Sequence, residues 1–493
     1  MKLFREAGQN ADAPVWPVGF EPHVVAQAFG SHRLSAFTIM LEGWRRGLSV
    51  KITHPQGFRY SISDGTKEVK FYASRSYETT NEALRTVDNK FATIQLMRDA
   101  GVPTPKSRRF ESSNTTFDEV LCVARDEYEW PIVIKPITGS MGKGVFANIE
   151  TPEQLRDAYD YVTDTLHAKQ FLLEQHVKGD DYRVYVVGDK AVAACRRIPA
   201  NVVGDGKQTV KELIRSKNRL RKQNPFLSKG IIRIDQEIDS MVDHQGLSYT
   251  SIPKRGQYVQ LREKANASAG GDVEDVTGQL PKYILDAAVK AVQSIDNLAA
   301  AGVDVLFDPE SQDSSNSFAI IELNARAHIP VNMYPTRGTG ANVPEAVVDH
   351  FFPDSVESVK KDTVNLGLNF DSLLTPLRDG SASEVKVSAI PNHHFPVRKK
   401  IDFNQVVSLS PLQERRILQA SRKLGVSGSL ESSNAGSRLV VAGREQSVQD
   451  FLEKVASTLK VDLPTSQPWD GLVMMGFYFS ETPLLRTGKE ADI

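Results

Sequence analysis

Cysteine is nearly missing from this chain. Its 493 residues hold two, Cys122 and Cys195, with no C-x-x-C spacing. That excludes a disulfide scaffold and a cysteine-rich zinc site, and it suits a reducing compartment. Long apolar runs are also missing. No window approaches the ~18 apolar residues of a membrane span. The opening MKLFREAGQN has no apolar stretch of signal-peptide length, so a cytoplasmic protein without a membrane partner is expected. Net charge is scarce too. Lys plus Arg is 60 against Asp plus Glu at 61, which gives no bulk attraction for nucleic acid. Two phosphate-binding signatures do not occur: the Walker G-x-x-x-x-G-K-[ST] and the Rossmann G-x-G-x-x-G.

What is present is an ordinary globular composition, 40% hydrophobic and 25% charged, at a length for two to four domains. Residues 1–85 alternate apolar runs (Phe37–Leu41, Ser49–Ile52, Val69–Tyr72) with turns, as a small α/β domain would. Asn81–Ala100 has helical spacing through Leu84, Phe91, Ile94 and Met97 and is ended by Gly101. Residues 207–258 are basic, with Lys211, Arg215, Lys217, Arg219, Arg221 and Lys222 close together. They suit either a solvated helix face or a lid over an anionic ligand. From 400 to 479 the pattern is strand (403–409), helix (412–424), strand (426–431), strand (438–442), helix (447–459), strand (472–479), a split β-α-β-β-α-β order. Asn434–Ser437 is placed as its hairpin turn, and His393-His394 as a loop rather than a zinc site.

The chemistry-bearing residues begin at Pro131–Val145, PIVIKPITGSMGKGV. A short buried-strand pattern ends at Lys135, and the loop Thr138-Gly139-Ser140-Met141-Gly142-Lys143-Gly144 follows. A glycine-rich loop brings backbone N–H groups to phosphate oxygens while lysine supplies the point charge. Phe171–Val177 is a second apolar strand that turns polar at Glu174-Gln175-His176 and runs into Asp180-Asp181-Tyr182-Arg183. Such a strand edge can read adenine, its carboxylate can hold ribose hydroxyls, and Arg183 would sit near phosphate. Asp304 interrupts the apolar Gly302–Phe307, and Glu322 and Asn324 lie two apart in Ala319–Arg326, hence on one strand face. Burying such groups costs several kcal/mol without a partner. Oxygen-only ligands suit Mg²⁺, which also holds nucleotide phosphates.

Asp88-Asn89-Lys90, Ile134-Lys135-Pro136, the glycine loop, Glu174–Arg183, Asp304 and Glu322-Leu323-Asn324 follow in the order and spacing of the ATP-grasp superfamily. Arg196–Gly206, Leu261-Arg262, Ala265–Gly271 and Asp275-Val276-Thr277 resemble the ligase domain of cyanophycin synthetases, and at lower detail fused glutathione synthetases. The likeness covers roughly 85–355. It implies a carboxylate–amine ligase that forms an amide through an acyl-phosphate and releases ADP and phosphate. Its cofactors would be ATP and Mg²⁺, with Mn²⁺ as a substitute. Its partners would be small carboxylate and amine substrates, amino acids or peptides, and a homo-oligomer is left open.

By that resemblance, Lys90 and Lys135 hold ATP phosphates beneath the loop of Gly139, Ser140, Met141, Gly142, Lys143 and Gly144. Glu174 and Val177 lie at adenine and ribose, Arg183 near phosphate, and Asp304, Glu322 and Asn324 bind the metal. Arg262 and Arg326 stabilise charge on the transferring phosphoryl group. No second, Mur-ligase-like half resembles anything here, and Ala325–Pro330 replaces the usual Pro-Gly continuation. A single amide or short peptide product is expected rather than a polymer. The rival reading is an ATP-binding regulatory protein without chemistry.

The 400–479 segment resembles acylphosphatases, most visibly at Arg422–Gly428. Glu414 or Arg415, and Ser432, stand where those enzymes carry their arginine and asparagine, and the loop 408–411 lacks glycine. A docking or gating module is expected, with acylphosphatase activity as the alternative. The fold expectation is therefore α/β and α+β: an ATP-grasp fold, then a ferredoxin-like, acylphosphatase-like domain. Expected boundaries are 1–85 (N-terminal α/β domain), 86–355 (ATP-grasp), 356–383 (connector), 384–482 (acylphosphatase-like) and 483–493 (flexible tail).

Overall fold

The structure is a computed structural model describing residues 14–139, 144–311, 317–358, 365–390, 395–433 and 436–480. Expectations placed on Ser140–Lys143, His393-His394, Asn434-Ala435 and the tail 483–493 lie outside those residues. The chain divides into two compact units. One takes Ser74–Ala346 with the chain ahead of Pro17; the other takes Pro17–Ala73 and the chain from Val347 onward. These boundaries differ from the expected ones, because segments distant in sequence pair with each other. Val385–Val387 is antiparallel to Ser49–Ile52, which continues into Arg59–Ser63 and Glu68–Tyr72. The expected connector contains the helix Phe370–Arg378. Phe37–Leu41 is part of the helix His32–Arg45.

The first unit holds two antiparallel sheets that position the site. In the four-stranded sheet the order is Ser107–Glu111, Gln170–Gln175, Ile132–Pro136, Phe146–Ile149. One face, with Phe110, Ile132, Ile134, Phe171 and Leu173, packs on the helices Phe117–Glu127 and Pro152–Asp160. The strand period of two then sends Lys135 and Glu174 to the opposite face. The five-stranded sheet has the order Asp272–Asp275, Lys190–Ile198, Asp180–Val187, Ala300–Phe307, Phe318–Asn324. Its Tyr182, Val184, Val303 and Val305 join the helix Lys282–Gln293 in the core, which turns Arg183 and Asp304 to the other side.

A bulge completes that face. Val305 pairs with Ile320 but Asp304 with Glu322, so Ile321 is an extra residue. This lets Ile320 and Leu323 both reach the core while Glu322 and Asn324 face away from it. The helix expected over 81–100 is two helices, Asn81–Asp88 and Lys90–Asp99. Asn89 is extended between them, and its side chain accepts the Ala92 N–H as an N-cap.

The basic segment forms the helix Val210–Gln223, and two of its cations turn inward. Lys217 Nζ lies 2.6 Å from Asp272, and Arg221 donates to the carbonyls of Gly230, Ala267 and Gly271. Lys211, Arg215, Arg219 and Lys222 are exposed. The segment is therefore neither wholly a solvated face nor wholly a lid.

In the second unit the C-terminal sheet has the order Gln467–Pro468, Val397–Phe403, Gly436–Gly443, Ser427–Ser433, Phe477–Ser480, with helices Pro411–Leu424 and Glu445–Leu459. The first strand lies ahead of the expected 403–409. The strand expected over 472–479 is two pieces, Val473–Met474 and Phe477–Ser480, the second parallel to Ser427–Ser433.

Candidate active site

One transverse row crosses the five-stranded sheet on its charged face: Asp275, Cys195, Arg183, Asp304, Glu322, one from each strand. Arg183 and Asp304 are directly opposite and form a bidentate pair, Nε to Oδ1 at 2.7 Å and Nη2 to Oδ2 at 2.8 Å. Gly302 lies beside this pair, and a Cβ there would clash with Ala327 Cβ at 2.8 Å while only touching Arg183 Cδ at 3.4 Å. Arg197, two residues beyond Cys195 on the same face, donates from Nε to Asp181 at 2.9 Å and stands 3.4 Å from Asp304. Burial opposes Asp304's charge, but Arg183 and Arg197 hold it below the ordinary carboxylate value. Burial pushes Asp181 up to about 6, and the Asp304 charge adds to the rise. Cys195 is a buried thiol pushed up to about 12 by burial, a packing residue rather than a nucleophile.

Glu322 is the open end of this row. Its side chain is 34% exposed, with Lys90 Nζ at 3.8 Å. Burial raises its proton affinity and the nearby Asp304 adds to this, while Lys90 and Lys135 oppose it. Lys90, the first residue of its helix, is mostly buried and donates to the Gly139 carbonyl at 2.9 Å. The break at Asn89 thus anchors a lysine against the start of the glycine loop. Lys135 and Glu174 form a diagonal cross-strand pair, Nζ to Oε2 at 2.6 Å, both nearly fully buried. Glu174 Oε1 is buried without a hydrogen-bond partner among the described residues. An open acceptor in a buried carboxylate is costly unless something fills it, and a ligand donor would do so. Val177 lies two residues beyond this strand, half-buried.

The expected residues therefore divide. Lys90, Lys135, Glu174, Arg183, Asp304, Glu322 and Asn324 gather on facing sheet surfaces, with Gly139 at the loop's start. Gly144 lies at the loop's far end with φ +75°. Ser140, Met141, Gly142 and Lys143 lie outside the described residues. Arg326 is half exposed, 3.4 Å from Asp88. Arg262 pairs with Asp235 and Glu237 and donates to the Ala269 and Arg233 carbonyls, so this structure ties it to the Gln236–His244 helix instead of the cluster.

Among the described residues, no group of three or more His, Cys, Asp or Glu is arranged as a metal site. The donors for a divalent cation are Glu322, with its burial-raised proton affinity, and Asn324, whose Nδ2 donates to Asp304 at 3.2 Å. A cation would relieve the charge at Glu322, so this pair fits one; Asp304 is already engaged. The Asp181–Arg197 pair was missed as part of the site. Its signal was there in the same-face spacing of Asp181 with Arg183 and of Cys195 with Arg197.

Residues 87–209 match the model of the RimK-like ATP-grasp domain. The chain is 29% identical over 331 residues to the glutathione biosynthesis bifunctional protein GshAB of Clostridium perfringens, covering 65% of this chain and 41% of that one. It is 31% identical over 296 residues to the cyanophycin synthetase of Crocosphaera subtropica, covering 59% and 33% respectively. The chain thus spans about a third to two fifths of the length of these relatives. A crystal structure of a bifunctional glutathione synthetase from Pasteurella multocida superposes with a TM-score of 0.51 at 24% identity, over 65% of this chain and 44% of that one. That likeness concerns the fold. No helix among the described residues is long and apolar enough to cross a membrane. Over residues 87–209 the chain is thus similar to a RimK-like ATP-grasp domain, and its mixed α/β fold is shared with that synthetase structure.

Proposed function

We propose that this protein is a cytoplasmic ATP- and Mg²⁺-dependent carboxylate–amine ligase acting on amino acids or peptides. A substrate carboxylate oxygen attacks the γ-phosphorus, the bond to ADP breaks, and an acyl-phosphate forms. An amine then attacks the acyl carbon, and phosphate leaves with the C–O electron pair. The observation that carries this reading is the meeting of Lys90 with Glu322 and of Lys135 with Glu174, whose second oxygen is buried without a partner among the described residues; three of the four lie within residues that match an ATP-grasp domain.

Lys90 and Lys135 would neutralise phosphate oxygens. Glu174 Oε1 would accept from the nucleoside, with Val177 beside it. Glu322 and Asn324 would hold the divalent cation, which supplies charge neutralisation for phosphoryl transfer. Arg183 would face the phosphates. Arg326, loosely paired and half exposed, can swing toward developing negative charge. Arg262 would have to leave Asp235 and Glu237 to do the same. No side-chain nucleophile is required.

In the second unit we propose a docking role for the 384–482 segment rather than acyl-phosphate hydrolysis. Ser410 and Gln413 cap the Pro411–Leu424 helix reciprocally, and Ser437 Oγ accepts the Val407 N–H. The backbone N–H groups of Val407, Ser410 and Gln413 are thereby occupied and withheld from a phosphate.

Incubating the protein with ATP, Mg²⁺ and pooled amino acids tests the ligase reading. ADP release should rise when a suitable carboxylate and amine are present together. A rate indifferent to every combination would favour the nucleotide-sensing alternative.

A further inference from the structure

Asp304 is the most heavily engaged carboxylate of the site. Arg183 Nε and Arg197 Nη2 lie 2.7 and 3.4 Å from Oδ1, and Arg183 Nη2 and Asn324 Nδ2 lie 2.8 and 3.2 Å from Oδ2. A carboxylate offers about four lone-pair directions, so Asp304 is nearly saturated. Its side chain is only 8% exposed, which leaves water little access. One strand over, Glu322 has no comparable clamp among the described residues. A cation arriving at Glu322 and Asn324 would therefore meet a closed Asp304. Opening it requires the guanidinium groups to turn away, and a buried guanidinium leaves one anion cheaply only for another. Arg197 is already shared, since Asp181 competes with Asp304 for it.

Building on the ligase reading, we propose that Arg183 and Arg197 lock Asp304, and that an anionic substrate group opens the lock. The anion takes over the guanidinium N–H donors, Asp304 is released to the divalent cation, and the two ligands bind with positive coupling. The oxygens that suit such planar donors are those of a carboxylate or a phosphoryl group. Metal site and substrate site would then assemble together, which disfavours a charged metal site without substrate.

Mn²⁺ serves as the probe, with its free concentration read by electron paramagnetic resonance on the full-length protein without nucleotide. Sulfate and acetate arms separate a phosphoryl-shaped from a carboxylate-shaped opener. At least one should tighten Mn²⁺ binding about fivefold or more. Arg197→Gln should bind Mn²⁺ more tightly than wild type without added anion, and its anion response should shrink. Asp181→Asn leaves Arg197 to Asp304 alone and should weaken Mn²⁺ binding. The opposite signs separate a lock from general damage, which would weaken both variants. The lock is overturned if neither anion tightens Mn²⁺ on wild type, or if Arg197→Gln binds it no more tightly. A final arm with ATP separates the two readings. Mn²⁺ retained with ATP but without anion coupling removes the lock alone; Mn²⁺ not retained even with ATP removes the metal reading too.

Discussion

Two regions of this protein handle buried polarity in opposite ways. On the charged faces of the first unit's two sheets, and among the described residues, Glu174 keeps an unpartnered buried oxygen, Glu322 has only a distant ammonium, and Asp181 and Asp304 share Arg197. In the C-terminal sheet, Arg438 pairs with Asp402 and lies over the Trp469 ring, and the Ser432 and Ser437 hydroxyls bond each other. Among the described residues from 397 to 480, no buried side-chain nitrogen or oxygen lacks a partner. Incomplete satisfaction costs stability and persists where a ligand completes it. Completed local bonding points to structure. Between these two regions, the contrast marks the first as the one a ligand could complete; open buried groups also occur elsewhere, at Ser228 and Asn332 among others.

The strongest test of the contrast is Lys135→Met. Among the described residues it leaves Glu174 buried with neither oxygen paired, and breaking a buried ion pair from one side costs about 3–5 kcal/mol. Urea denaturation of the first unit should show a loss of that order, and a loss below 1 kcal/mol would mean the pair is not buried as described. Next is Glu322→Gln, which keeps shape but removes a cation partner. Turnover should fall on the order of 10²–10³ with an unchanged melting profile; near-normal turnover would remove Glu322 from the site. Ser410→Ala removes the cap of the Pro411–Leu424 helix and should cost about 1 kcal/mol without changing ligase turnover. The same variant should hydrolyse acetyl phosphate no better than wild type, and measurable hydrolysis by either would revive the phosphatase reading.

The smallest effect concerns pH. Asp181 is pushed up to about 6 in the folded protein against an ordinary value of 3.8. The folded state therefore binds its proton more tightly, and that contribution to stability is lost as pH rises from about 4 to about 6. Asp181→Asn removes this component, so its stability relative to wild type should increase across that window. A flat difference would contradict the raised value.

Much of the candidate site's geometry could be seen in the residues because strand periodicity is local. Glu322 and Asn324, two apart, share a face, and Lys135 ends an apolar strand whose partner carries Glu174. What escaped depends on register. The bulge at Ile321 lets Ile320 and Leu323 both face the core, and a two-residue period cannot signal it. Asn89 sits inside a helical apolar spacing, and its capping bond to Ala92 rather than that spacing places Lys90. Arg197 meets Asp304 only because the strand Asp180–Val187 lies between theirs. The pairing of Val385–Val387 with Ser49–Ile52 joins segments with no shared local signal, so the domain boundaries could not be seen in advance.

Oxygen tracing tests the ligase chemistry most directly. The protein is given ATP, Mg²⁺ and a pool of amino acids labelled with ¹⁸O in their carboxylates, and the released phosphate is analysed by mass spectrometry. If the carboxylate attacks the γ-phosphorus, one labelled oxygen passes into each phosphate formed with an amide. Phosphate that carries no label while ADP accumulates would mean water attacks ATP instead, and the ligase account would be wrong.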